Sequence, residues 1–172
     1  MEPAVAIRLI EKGVRPKGAA HWADLGAGDG LFTKVLSTLL PPGSEIYAID
    51  KNPVVKSIVV QGDITLHSIT KDFTDTSLVA IPLDGIMIAN ALHYVRDKVQ
   101  FVQQWKKKLK ADGVLIIVEY DIDTGNQWIP YPLSFNRLIR MKKELGASDI
   151  MQIGKEASAY HRQGMYSALM KF

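Results

Sequence analysis

The segment Asp24-Leu25-Gly26-Ala27-Gly28-Asp29-Gly30 stands between a short apolar run, HWADL (21–25), and a helical one, LFTKVLSTLL (31–40). Glycines at such spacing let the chain turn sharply and let a ligand approach the backbone, because no Cβ intervenes. The helix that follows presents unpaired N–H groups and the positive end of its dipole at the same place. Two acids come next: Asp50 ends EIYAID (45–50), 20 residues after Gly30, and Asp63 ends SIVVQGD (57–63). At a strand end beside the glycine turn, a carboxylate can accept hydrogen bonds from both ribose hydroxyls of a nucleoside. Each acid alone reads equally as a turn or helix cap. The three features in order, each after a strand, predict a nucleoside-binding crevice.

The competing cofactors fit less well. A dinucleotide fingerprint needs a small residue three positions after Gly28, where this chain has Leu31, and no Gly-Lys-Ser/Thr of a phosphate loop follows the turn. There is no cysteine, which excludes disulfides, thiolate metal sites and cysteine nucleophiles. His21, His67, His93 and His161 lack ligand spacing, so no metal is expected. Of these, His93 follows the fourth expected strand, where a neutral imidazole could take a proton near neutral pH. It reads equally as a packing or capping histidine. Tyr94 beside it, and Glu119, Tyr120 and Asp121 at the end of the fifth expected strand, should line the same crevice.

The elements that must position these residues alternate. A leading helix covers residues 1–15, and a cofactor-binding core of strands and helices covers 16–122. Strands are expected at 21–25, 45–50, 57–63, 84–90 and 113–121, with helices at 31–40 and 97–110 and a poorly patterned stretch at 64–82. Residues 123–172 supply a loop with Trp128 and Tyr131, a helix near 134–145, and strands near 149–158 and 164–171 that form a hairpin around Arg162-Gln163-Gly164. This alternation predicts an α/β fold, a doubly wound, mostly parallel sheet with helices on both faces, in one domain. The cluster Lys106, Lys107, Lys108 and Lys110 reads as the solvated face of the 97–110 helix, ahead of a nucleic-acid patch.

At these motifs the chain resembles the class I S-adenosylmethionine-dependent methyltransferases of small-molecule type, over nearly its whole length. The resemblance implies a seven-stranded sheet whose last strand, here MYSALMK (165–171), inserts antiparallel. It implies that Asp24, Gly26, Ala27 and Gly28 form the turn at the methionine moiety of the cofactor. It also implies that Asp50 binds the ribose, with Lys51 and Asn52 beside the adenine. Asp63 would accept from the adenine amino group and Ile64 would pack on the ring. The segment Ile88 to Tyr94, with Asn90 and Ala91, would face the reactive methyl group, and His93, Tyr94 and Glu119 are the catalytic candidates. Only 12 residues separate Asp50 from Asp63, so the helix usual between those strands must shrink to about a turn or vanish.

The expected activity is methyl transfer from S-adenosylmethionine, yielding S-adenosylhomocysteine, to an acceptor that the sequence does not identify. Short connections also occur in RNA ribose 2′-O-methyltransferases, but their catalytic lysine and Asp-containing fourth motif do not match Val118-Glu119-Tyr120 and Ala89-Asn90-Ala91. Nor is Asn90-Ala91-Leu92-His93 the Asn/Asp-Pro-Pro-Tyr/Phe motif of DNA adenine methylation, and methylation at carbon 5 of pyrimidines would need a cysteine. With no inserted domain to grip a macromolecule, a small-molecule acceptor ranks first. An RNA or protein acceptor recognised through a partner ranks second, and a non-catalytic S-adenosylmethionine-binding role third. The net charge of +3 (21 basic minus 18 acidic residues) permits an anionic partner without requiring one. No stretch has the length of a spanning helix, so the expectation is a cytoplasmic monomer or homodimer with no membrane association.

Overall fold

The computed structural model describes residues 1–52, 62–157 and 164–172. Helices α1 (Pro3–Ile10), α2 (Leu31–Leu39), α3 (Lys98–Lys106) and α4 (Phe135–Arg140) accompany seven strands. These are β1 (His21–Leu25), β2 (Ser44–Asp50), β3 (Ile64–Thr70), β4 (Leu83–Ala89), β5 (Leu109–Tyr120), β6 (Asp149–Glu156) and β7 (Met165–Lys171). They form one sheet in the order β3-β2-β1-β4-β5-β7-β6. The first five run parallel, and β7 enters antiparallel between β5 and β6.

Apolar residues point alternately to the two faces of the sheet, and each face is covered. On one side Ala23, Leu25, Ile86, Ile88 and Ile117 pack beneath Phe101, Val102 and Trp105 of α3 and Leu138 of α4. On the other, Trp22, Ile46, Met87 and Ile116 pack beneath Leu9 and Ile10 of α1 and Val35 and Leu36 of α2. Strands covered on both faces read as continuous hydrophobic runs, which is why β1, β4 and the second half of β5 stand where their composition predicts. Among the described residues no helix is long and apolar enough to cross a membrane.

The third strand differs from expectation. It occupies 64–70, inside the stretch that looked unpatterned, and residues 57–61 of the strand expected at 57–63 lie outside the described residues. Among the described residues β3 is an edge strand paired with β2 alone, so ITLHSIT needs little hydrophobicity. It is held instead by unbroken pairing from Ser44↔Ile64 to Asp50↔Thr70 and by side chains across the ladder. Tyr47 and His67 stack at 4.5 Å, and both contact the Glu45 carboxylate, the tyrosine hydroxyl donating at 2.9 Å and His67 Nε2 lying 2.7 Å away.

Two further expectations change. The helix expected over 97–110 ends at Lys106, because Leu109 already pairs with Leu83 and opens β5. The lysine cluster is consequently not a solvated helix face. Lys106 Nζ donates to the Gly146 carbonyl, Lys108 Nζ to that of Val79, and Lys110 Nζ to the Asp84 carboxylate. The hairpin residues Arg162 and Gln163 lie outside the described residues, and Gly164 precedes β7.

Gly85 marks the tightest packing in the middle of the sheet. A Cβ there would overlap the six-membered ring of Trp22, which is 2% exposed and has no room to move. Gly85→Ala should therefore cost about 1–3 kcal/mol, the usual penalty for overpacking, read as a lower denaturant midpoint in equilibrium unfolding.

Candidate active site

The chain order of the strands reverses at β1, which has β2 on one side and β4 on the other. The connections after β1 and β4 thus diverge and leave a crevice outside the carboxyl ends of the strands. Gly26, Gly28 and Gly30 all adopt left-handed backbone, at φ 73°, 55° and 81°, as the sharp strand-to-helix turn demands. Gly26 has a second reason to be glycine, since a side chain there would overlap the Cβ of Ala91 after β4. The turn is tied to β2 by Gly26 and Ala27 N–H groups donating to the Ile49 carbonyl at 2.8 and 3.1 Å. Gly28 N–H donates to Asp50 Oδ2 at 2.9 Å, and Asn52 N–H donates to Asp50 Oδ1 at 2.8 Å.

These residues wall a cavity of about 590 Å³ that also holds Asp72, Phe73 and Tyr94. Asp50 accepts one N–H at each oxygen and keeps further lone pairs for a diol. Asp72 lies beyond the end of β3, where its Oδ2 pairs with Lys51 Nζ at 3.0 Å. Burial pushes the Asp72 carboxyl up, but bonds from Thr74 and Lys51 outweigh it and hold the group below the ordinary carboxylate range. Phe73, 8% exposed, packs edge-on against Phe101 at 5.9 Å and offers an apolar floor for a flat ring.

Asp63 and Ile64 are not in this crevice. Because β3 begins at Ile64, both lie at the opposite, amino end of the strand, where the Asp63 carbonyl accepts from Gly43 N–H at 2.6 Å. Ile64 is buried in the core beneath α2. The expectation for this pair is corrected, and the acid and apolar residue found at the carboxyl end of β3 are Asp72 and Phe73. The one signal that could have found them is the Ile64, Leu66 alternation, which makes the next acid after a strand Asp72.

A second cavity of about 460 Å³ adjoins the first, and Asn90 and Tyr94 line both. Its wall includes His93, Tyr120, Asn126 and Trp128. Asn90 is the non-glycine residue with left-handed backbone among those described, at φ 52°, and its buried Oδ1 has no hydrogen-bond partner within the protein. A strained residue with an unsatisfied acceptor, at the junction of two cavities, is suited to a ligand donor. His93 is 2% exposed and is gripped by Glu119, itself 1% exposed. The backbone N–H of His93 donates to Glu119 Oε1 at 3.0 Å, and Nδ1 lies 2.9 Å from Oε2. A carboxylate accepts only, so this contact places a proton on Nδ1, and in the neutral imidazole the lone pair is then on Nε2. Tyr94 crosses the histidine ring at 4.3 Å and is 58% exposed. Asp121 turns elsewhere, accepting from Phe135 N–H at 2.9 Å to start α4.

A parallel sheet that reverses at β1 and is closed by an inserted antiparallel strand, with a glycine turn and acids at its carboxyl ends, defines a class I methyltransferase. Residues 23–117, more than half the chain, match the family model described as a methyltransferase domain. The chain belongs to that family, and its cofactor is S-adenosylmethionine. No curated protein matches its sequence. Solved structures share the fold at low identity. An S-adenosylmethionine-dependent methyltransferase from Leishmania major superposes with a TM-score of 0.73 at 18% identity, covering 98% of this chain and 72% of that one. One from Aquifex aeolicus gives 0.68 at 16%, covering 98% and 93%. The Burkholderia thailandensis 1,6-didemethyltoxoflavin-N1-methyltransferase, solved with that compound and S-adenosylhomocysteine, gives 0.65 at 17%, covering 98% and 75%. The chain spans about half the length of several further matches.

Behind the glycine turn, Asp24 is buried and accepts a hydrogen bond from the Thr33 hydroxyl. Burial pushes its carboxyl up from 3.8 to about 7; the Thr33 bond opposes this, and the Asp50 charge adds to it. The folded state therefore holds a proton that the unfolded chain releases, so stability drains away as pH rises between those two values. Asp24→Asn abolishes that ionisation. Calorimetric melting should show the variant gaining on the parent between about pH 4 and about pH 7, by up to roughly 4 kcal/mol for three pKa units.

Proposed function

We propose that the enzyme methylates a small molecule seated in the cavity beside His93, and that His93 removes the acceptor's proton. The observation that carries this reading is His93, held from behind by the buried Glu119 and lining a cavity that shares Asn90 and Tyr94 with the cofactor cavity. S-adenosylmethionine, when bound, would supply an activated sulfonium methyl group for transfer to the acceptor. Asp50 and Asp72 hold the nucleoside end by accepting from the ribose hydroxyls and the adenine amino group, and Phe73 packs on the ring. Asp24, Gly26, Ala27 and Gly28 form the turn at the methionine end, with Ala91 closing against it.

At the acceptor, His93 Nε2 takes a proton from a hydroxyl or N–H while Glu119 keeps the ring oriented and stabilises the imidazolium. Asn90 Oδ1 accepts from a donor on either ligand. Tyr94, Tyr120 and Trp128 offer flat apolar surface, which suits an aromatic or heteroaromatic acceptor.

Cofactor binding and chemistry can be tested apart. Titration calorimetry with S-adenosylhomocysteine should show Asp72→Ala weakening binding by about 1.5–3 kcal/mol, the worth of a hydrogen bond to a charged group, while Asp63→Ala leaves it unchanged. Equal losses in the two variants would refute the assignment of Asp72. For the base, formation of S-adenosylhomocysteine with a panel of phenols and N-heterocycles should fall about 10²- to 10⁴-fold in His93→Ala, with cofactor affinity within a few-fold. A variant that melts earlier yet turns over normally in the cold would make His93 a packing residue.

A further inference from the structure

A third cavity, of about 730 Å³, lies on the other side of the loop that walls the His93 cavity. Gly125, Pro130, Tyr131 and Pro132 face the third cavity, and Asn126, Trp128 and Ile129 face the His93 cavity. Tyr131 N–H donates to the His93 carbonyl at 3.0 Å and ties the loop to the catalytic segment.

The third cavity carries three cations: Arg96, Lys98 and Arg137. Lys98 is 7% exposed, which is rare for a lysine without a paired charge. Its Nζ donates to the Val95 carbonyl at 2.8 Å and sits 5.8 Å from the centre of the Tyr131 ring. Among the described residues no carboxylate lies within ion-pair distance of it. One carbonyl uses one of three ammonium donors. Two local rules are broken here: the charge is buried, and a lysine opens helix α3, where the helix dipole favours an anion. Burial pushes the Lys98 ammonium down to about 8; the charge of Glu119 opposes this, and that of Arg137 adds to it.

Asp97 and Asp123 also line the cavity, and each has an oxygen engaged. Asp97 Oδ1 accepts from Gln100 N–H at 2.9 Å to cap α3, and Asp123 Oδ1 accepts from the Ser134 hydroxyl at 2.6 Å. Arg137 Nη1 donates to the Pro132 carbonyl at 3.5 Å, which uses one of its five N–H groups. The cluster is rich in unused donors and keeps one more cation than carboxylates.

We propose that the cavity of Arg96, Lys98 and Arg137 is an oxyanion site, taking a carboxylate or phosphate group. An oxyanion there would satisfy the buried ammonium and the helix end together, and could bridge Lys98 to the Arg137 fork. Its place across a single loop from the His93 cavity fits an acidic group carried by the methyl acceptor; that part of the inference rests on the function proposed above. A free anion is the other source of the same chemistry.

The test begins with inorganic phosphate and needs no acceptor. Phosphorus NMR titration of the full chain at constant ionic strength should give saturable binding, with the dissociation constant raised at least tenfold in Lys98→Met and in Arg137→Gln. The exposed Arg137 keeps the test valid where the buried substitution fails to fold. No saturation, or equal binding by parent and Arg137→Gln, overturns the site whatever the protein methylates. The second arm compares aromatic carboxylic acids with their methyl esters as acceptors. Acids with KM at least tenfold below their esters, and competed by phosphate, identify an acceptor group. Phosphate binding left unaffected by every acid assigns the site to a free anion.

Discussion

The two strand-end connections that frame the crevice meet where Gly26 lies against Ala91, with no room for a side chain on the glycine. That contact sets the distance between the turn after β1 and the segment after β4, and so the spacing of the two adjoining cavities. Two constraints coincide at one residue. The turn needs left-handed backbone, and the neighbouring segment needs the space of a missing methyl group. Ala91 is small for the complementary reason. Beyond it the chain runs through Leu92 and His93, so the position of the imidazole is inherited from the packing at Gly26.

The polar groups around His93 are assembled at some energetic cost. Glu119 and His93 are almost fully removed from water, and each would be unfavourable alone. Three N–H groups converge on the one carboxylate: the backbone of His93, its ring, and the backbone of Tyr120. Parallel pairing of Ala89 with Val118 sets where β4 and β5 end relative to one another and delivers Glu119 beneath residue 93. The geometry of the His93–Glu119 contact is therefore a property of sheet register.

Much of this was legible in the residues. The apolar runs HWADL, LDGIMIA and VLIIVEY stand as strands where composition puts them, with the glycine turn after the first, and Asp50 ends β2 as expected. β3 was not legible, because an edge strand with half-exposed faces needs no hydrophobic run, and the apolar stretch before it drew the expectation upstream. Asp63 and Ile64 were misplaced with it, and Asp72 and Phe73 overlooked, although the acid expected after a third strand is there. The His93–Glu119 contact spans 26 residues and depends on register, which no local pattern encodes. Lys98 falls at the start of the helix expected over 97–110 without standing out there, since burial of a lysine leaves no mark on its neighbours in sequence.

The last strand gives the molecule a particular order of assembly. β7 fills the space between β5 and β6, and the Ser167 hydroxyl donates to the Leu9 carbonyl in α1, 158 residues earlier. As the ribosome extends this chain, β6 emerges before the strand that must separate it from β5, and has nothing to pair with. The first helix likewise waits for the final strand. Contacts of such sequence separation are entropically slow to close, so the nascent chain must hold its unfinished sheet edge open. That edge stays exposed until β7 has emerged.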